Sequence, residues 1–210
     1  SVLNSQHGFF KEAFIDEMAH AAGADPFEFR RGLLGDQPRF KAVLEKAAAM
    51  SGWGQPLPKG EGRGIAVCES FGTIVAEVAH VSVSPEGRPK VLHVHAAVDC
   101  GDVVNMDTAT AQAEGGIIFA LSAALLGEIT IDRGRVVERN FRDHQMIRIA
   151  DAPRVSVEFV RSDGLLGGLG EPCVPPLAAA VTNAIFAATG ARVRDLPIRK
   201  QKLVSGSQTT

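Results

Sequence analysis

A change of period divides this chain. Over residues 73–84 the side chains alternate, with Val75, Glu77, Ala79, Val81 and Val83 on one side and Ile74, Val78 and His80 on the other. A repeat of two sends neighbours to opposite faces of a strand. Pro85-Glu86-Gly87 then turns the chain into a second such run over 90–98, which makes the pair a β-hairpin. Upstream the spacing is helical. Phe10, Phe14, Ile15, Met18 and Ala22 recur at helical intervals among charged residues, and Gly23 serves as a C-cap. Asp25-Pro26-Phe27-Glu28 sets an N-cap acid before a proline and a first-turn acid, so a second helix starts there and ends near Gly35. A third, over 38–50, places Phe40, Val43, Leu44 and Ala47 on one face.

Residues 51–64 are rich in glycine and proline and read as a linker. Beyond the hairpin the sequence predicts a helix over 108–126 and a short hairpin over 128–138 around Asp132-Arg133-Gly134. A strand over 155–160 follows, then an apolar helix over 176–189 closed by Gly190. Helices first, then hairpins mixed with two long helices, predict an α+β fold. The expected organisation is a helical segment over 1–52, a linker over 53–64, an α+β domain over 65–198 and a disordered polar tail over 199–210.

The bulk chemistry excludes several classes. Of 210 residues 45% are hydrophobic and 22% charged, with a net charge of −2. Acids and bases are intermixed, so nothing selects nucleic acid or an anionic membrane surface. The longest apolar stretch, 115–127, falls short of the roughly 20 residues that span a bilayer. Three widely spaced cysteines, Cys68, Cys100 and Cys173, form no ligand cluster and are expected as buried thiols. Neither Cys100 nor Cys173 has a basic neighbour in sequence that would make it a nucleophile. No signal peptide pattern opens the chain, and the lack of an initiator Met suggests a processed chain or a piece of something longer. Nothing here separates cytoplasm from periplasm.

Chemistry concentrates in two stretches. Gly167-Gly168-Leu169-Gly170-Glu171-Pro172 packs three glycines before a carboxylate, which lets backbone approach a ligand closely. Glu171 precedes a helix start, whose partial positive charge favours the ionised form and hence a base. The plain alternative is a glycine turn with a capping acid. The second stretch, Gln112-Ala113-Glu114-Gly115-Gly116, puts two glycines inside a helix at a cost of about 2 kcal/mol relative to alanine. That cost marks close packing by another backbone or by a ligand, and Gln112 shares the face of both glycines. Tight helix packing beside a surface Gln explains the spacing equally well. Glu114 is expected to pack or hydrogen-bond rather than act as a second base. His93 and His95 share a strand face, but no third metal ligand is evident. Glu69-Ser70-Phe71-Gly72 reads as a turn at a strand edge.

Taken together, these stretches resemble a known family. Gln112-Ala113-Glu114-Gly115-Gly116 resembles the QxEG motif of molybdenum hydroxylase large subunits, the xanthine oxidase/aldehyde oxidoreductase type. Gly168-Leu169-Gly170-Glu171-Pro172 resembles their G-[VL]-G-E-P motif. Val98-Asp99-Cys100-Gly101-Asp102-Val103-Val104-Asn105 is similar to their VDxGxxxN segment. Phe14-Ile15-Asp16-Glu17, Asp25-Pro26-Phe27-Glu28-Phe29-Arg30-Arg31 and the stretch 183–190 resemble the isoquinoline oxidoreductase and aldehyde dehydrogenase branch. The resemblance implies that Glu171 is the base beside molybdenum, acting on water-derived oxygen that is added to an aldehyde or N-heterocycle. It implies that Gln112 contacts the cofactor and that Leu169 and Gly170 line the metal side. The implied cofactor is molybdopterin, in its cytosine dinucleotide form, with molybdenum. The implied partners are the remaining part of the large subunit and a subunit carrying iron–sulfur clusters. Some features depart from the pattern: Val2 stands where some relatives carry an aromatic substrate clamp, and Met106 replaces a proline. The family's cofactor-binding arginine and its Gly-Gln-Gly loop are absent from these residues, so the chain alone is expected to hold no cofactor and to expose apolar surface. The alternative from a different class is a non-catalytic interaction module that keeps the fold without cofactor.

Overall fold

The computed structural model describes residues 2–203, and its frame is a four-stranded mixed sheet with helices on both faces. Three helices come first: α1 (Val2–Ala21), α2 (Pro26–Leu33) and α3 (Pro38–Ser51). The strands β1 (Glu61–Ser70), β2 (Thr73–Val83) and β3 (Pro89–Asp99) follow as an antiparallel meander. Helix α4 (Met106–Leu125) then crosses over, a two-residue hairpin β4 (Ile131–Asp132) and β5 (Arg135–Val136) stands outside the sheet, and β6 (Arg154–Phe159) pairs in parallel with β3. Helix α5 (Leu177–Thr189) completes the core, and the strand order is β1-β2-β3-β6. This is the predicted mixture of helices and hairpins, with one parallel pairing that the α4 crossover makes possible.

Alternation sorts the core into two layers. Val75, Ala79, Val94, Ala96 and Val98 face α4 and α5, where Ile117, Leu121, Leu177 and Ile185 are fully enclosed. Ile74, Ala76, Val78 and Ala97 face Val43, Leu44 and Ala47 of α3. Cover on both faces explains why β2 is buried nearly end to end.

Four sequence expectations are corrected. Helix α1 turns its apolar stripe outward: Phe10 and Phe14 are 61% and 60% exposed, while Phe9, Glu12, Asp16 and Ala19 are buried. The buried acids have work to do. Glu12 accepts from Val67 N at 3.0 Å, so α1 satisfies the open edge of β1, and Asn183 of α5 donates to Ile65 O on that edge. Arg30 pairs with Glu12 at 2.9 Å, and Arg192 pairs with Asp16 at 2.7 Å. The last part of the expected linker belongs to β1, whose glycines mark contact rather than slack. A Cβ on Gly64 would lie 2.2 Å from Ala184 N, and one on Gly62 would lie 2.3 Å from Ala184 O, because α5 rests directly on that backbone. The short outer hairpin is trimmed to two-residue strands, its side chains all exposed. The expected tail from 199 is in part structured: Leu203 is buried, and Arg199 and Lys200 both pair with Glu128. Residues 204–210, the rest of that tail, lie outside the described residues.

Candidate functional site

The glycine-rich segment 164–171 crosses the end of the sheet where β1 turns into β2 and β3 ends. Asp99, the last residue of β3, is fully buried. It accepts from Arg39 Nε and Nη2 at 2.8 and 2.9 Å, from Ser162 Oγ at 2.7 Å and from Gly101 N at 3.0 Å. Burial raises its pKa, but these donors, Arg39 foremost, hold the carboxyl below its ordinary value. The ion pair also bears on the loop, since a Cβ on Gly164 would lie 2.6 Å from Arg39 Cζ. Gly101, at φ +77°, lets the Gly164 and Leu165 carbonyls come within 2.7 Å of where a side chain would begin.

Further along, Gly167 N donates to Cys100 O and Gly168 N to Phe71 O, each at 2.9 Å, and Thr73 Oγ1 donates to Gly168 O at 2.6 Å. Phe71 holds φ +54° in the β1–β2 turn, an uncommon conformation for an aromatic residue. The segments 98–105, 69–73 and 164–171, remote in sequence, are thus stitched into one surface. Sequence reasoning left 69–72 as a plain turn and missed Arg39, Thr73 and Ser162. Only the glycines gave a signal there, because each of the other contacts spans 60 residues or more.

Gln112 completes the surface. Asn105, the final residue of the VDxGxxxN stretch, caps α4 by accepting from Thr108 N at 3.0 Å. Along that helix Gln112 Nε2 donates to Gly170 O at 2.9 Å. The two sequence stretches singled out for chemistry therefore meet. Gln112, Gly115, Gly170 and Glu171 are all exposed, while Leu169 is half-buried and packs on the main core. A Cβ at Gly115 or Gly170 would meet nothing within 4 Å, so both leave bare backbone on the surface. Gly116 faces inward, where its Cβ would lie 3.5 Å from Cys173, so that glycine serves packing. The arrangement fits a planar, polar-edged cofactor: Gln112 spends one N–H on Gly170 and keeps an N–H and a carbonyl oxygen.

Between Glu171 and α5, which begins at Leu177, lies a turn closed by Val174 N donating to Glu171 O at 2.9 Å. His93 and His95 stack at 3.8 Å, with His93 Nε2 2.8 Å from Ser156 Oγ. Burial pushes the His95 imidazole down to about 4, aided by His93 and Arg63. No group of three potential metal ligands occurs among the described residues. All three cysteines are buried, unbridged thiols, and burial raises the pKa of each.

Comparison with known proteins identifies relatives of the chain. Residues 16–153 match the family model of the molybdopterin cofactor-binding domain. The chain is 34% identical to the isoquinoline 1-oxidoreductase subunit beta of Brevundimonas diminuta over 93% of its length and 26% of that protein's. It is 35% identical to the membrane-bound aldehyde dehydrogenase [pyrroloquinoline-quinone] of Gluconacetobacter polyoxogenes, over 94% of this chain and 28% of that one. It therefore spans about a quarter of the length of these curated relatives. The aldehyde oxidoreductase of Desulfovibrio gigas shares the fold with a TM-score of 0.69 at 16% identity, over 92% of this chain and 40% of that one. No helix of the described residues is long and apolar enough to cross a membrane. The chain belongs to the molybdopterin cofactor-binding domain family.

Proposed function

We propose that this chain supplies a general base, Glu171, to a molybdenum hydroxylase that oxidises an aldehyde or N-heterocycle with oxygen taken from water. The observation that carries the reading is the Gln112–Gly170 hydrogen bond of 2.9 Å. Through it the Gln112 amide and the bare backbone of Gly115 and Gly170 come to one surface beside the exposed Glu171.

A bound molybdopterin–molybdenum group would supply the two-electron oxidation of the substrate carbon. In the overall balance an aldehyde and water give a carboxylic acid, two protons and two electrons. The part of Glu171 is to take a proton from the attacking oxygen at a carboxylate oxygen, which makes that oxygen a nucleophile. The glycine loop would position the carboxylate. Gln112 would orient the pterin edge with its remaining N–H and its carbonyl oxygen, while Leu169 and Gly170 line the metal side. Molybdopterin in its cytosine dinucleotide form suits the branch that the chain resembles. The electrons would leave to iron–sulfur clusters on a partner subunit, and most of the cofactor cradle would come from the remaining part of the large subunit. Protein groups in such a site orient and tune a cofactor that performs the demanding step.

Substituting Glu171→Gln in the assembled enzyme tests the assignment. Molybdenum content should stay unchanged while kcat falls by about 10² to 10⁴, the usual contribution of a positioned base. Turnover kept within about tenfold rejects Glu171 as the base. Molybdenum absent from an intact assembly would favour the non-catalytic module instead.

A further inference from the structure

Glu77 is fully buried in the middle of β2, and neither of its carboxyl oxygens has a hydrogen-bond partner in the protein. Buried polar atoms are almost always satisfied, by protein or by enclosed water. Its cross-strand neighbours, Ala66 on β1 and Ala96 on β3, have small side chains that leave room beside it.

The glycine contacts locate the carboxyl group. Helix α5 runs back along β1: a Cβ on Gly62 would touch Ala184 and Ala188, and one on Gly64 would touch Ala180 and Ala184. Farther along the strand, Cys68 Sγ and Pro175 O converge on Gly8. Ala66 lies between Gly64 and Cys68, so Glu77 beside it is brought beneath the chain from Pro175 to Ala180. Cys68 and Cys173, both buried, are the titratable groups near it from β1 and from the turn. Helices α4 and α5 present Ala113, Ile117, Leu177 and Ala180 to the same layer.

The start of helix α5, after Pro176, has no side-chain cap of its own, and its first residues Leu177 and Ala179 are fully buried. The first N–H groups of a helix have no partner within it. An uncapped, buried helix start thus lies over an unpaired, buried carboxyl group. Burial pushes the Glu77 carboxyl up and so favours its neutral form, which can both accept and donate.

We propose that Glu77 is a positioning residue: through enclosed water its carboxyl group caps the first turn of α5 and so fixes the 171–176 turn on which Glu171 stands. Its service to catalysis rests on the reading of Glu171 as the base, whereas the tether itself does not.

The experiment compares Glu77→Gln, which keeps a donor and an acceptor, with Glu77→Leu, which keeps neither, both in the assembled enzyme. Amide hydrogen exchange over 172–180 should accelerate about tenfold or more in Glu77→Leu and stay within about twofold of the parent in Glu77→Gln. The infrared carbonyl band of a protonated carboxylic acid should be present in the parent at neutral pH and absent from Glu77→Gln. In turnover, Glu77→Leu should lower kcat with little change in KM, and Glu77→Gln should restore it. Unchanged exchange in Glu77→Leu overturns the tether, as does a carboxylate band in place of the acid band. Should Glu77→Leu fail to fold, the infrared band and the exchange of Glu77→Gln decide the matter. Faster exchange with unchanged turnover overturns the link to Glu171. Failure of the base reading shows separately, as full turnover in Glu171→Gln.

Discussion

Asp99 and Arg39 illustrate how much of the site depends on residues that do no chemistry. The aspartate is wholly enclosed, and the guanidinium supplies two of its donors while lying against the glycine loop. Truncating one partner of a buried pair strands the other charge, so Arg39→Ala should cost about 3 kcal/mol in chemical denaturation. It should also loosen the loop that carries Glu171, seen as faster amide exchange over 164–170. His95 offers a pH test at the same scale. Its folded pKa, about 4, lies below the ordinary value near 6.5, so the unfolded chain binds more protons between those limits. Stability should therefore fall as pH drops from about 6.5 towards about 4, and His95→Gln should flatten that decline in thermal melts. Glu171 and Gln112 stand out in the sequence because each sits in a dense local pattern. Arg39 does not, since its partner lies 60 residues away and nothing near it marks the pairing.

At the scale of elements, the strands and helices were largely legible because periodicity is a local signal. The hairpin of β2 and β3, the cap of α2 at Asp25 and the C-cap of α5 at Gly190 appear where the sequence puts them. The failures share a cause: contacts from outside the element. The period of α1 gives its helix but not its buried face, which holds Glu12 and Asp16 while Phe10 and Phe14 point outward. An arginine from α2, another from the segment after α5 and the free edge of β1 draw the acids inward. Likewise Gly62 and Gly64 read as linker glycines, whereas α5 requires them bare. Gly64→Ala should cost about 3 kcal/mol, because the clash is with backbone that cannot rotate away, and calorimetric unfolding measures this directly.

For the molecule as a whole, the outward stripe of α1 is the feature that most needs a partner. Leu3, Phe10, Phe14 and Phe119 are each exposed by 60% or more, and the groove of about 390 Å³ between α1, α4 and α5 is lined by Phe9, Phe10, Phe119 and Val174. Val174 follows Glu171 by one turn, so this apolar surface begins beside the candidate site. Apolar patches of this kind mark interfaces, and the chain spans about a quarter of the length of its curated relatives. The account assigns this face to the remaining part of the large subunit. The double variant Phe10→Ser with Phe14→Ser should keep its fold by circular dichroism yet lose co-purification with that remainder; retained co-purification would move the interface elsewhere.

The family and the two site motifs were legible before any coordinates, and their meeting through Gln112 and Gly170 was not, because no local pattern encodes that hydrogen bond. Its consequence is spatial, and so is the decisive measurement: anomalous scattering at the molybdenum edge from crystals of the complete enzyme. The account predicts a molybdenum peak beside the Glu171 carboxylate, with Gln112 against the pterin. A peak remote from Glu171, with that side chain turned to bulk solvent, would contradict it.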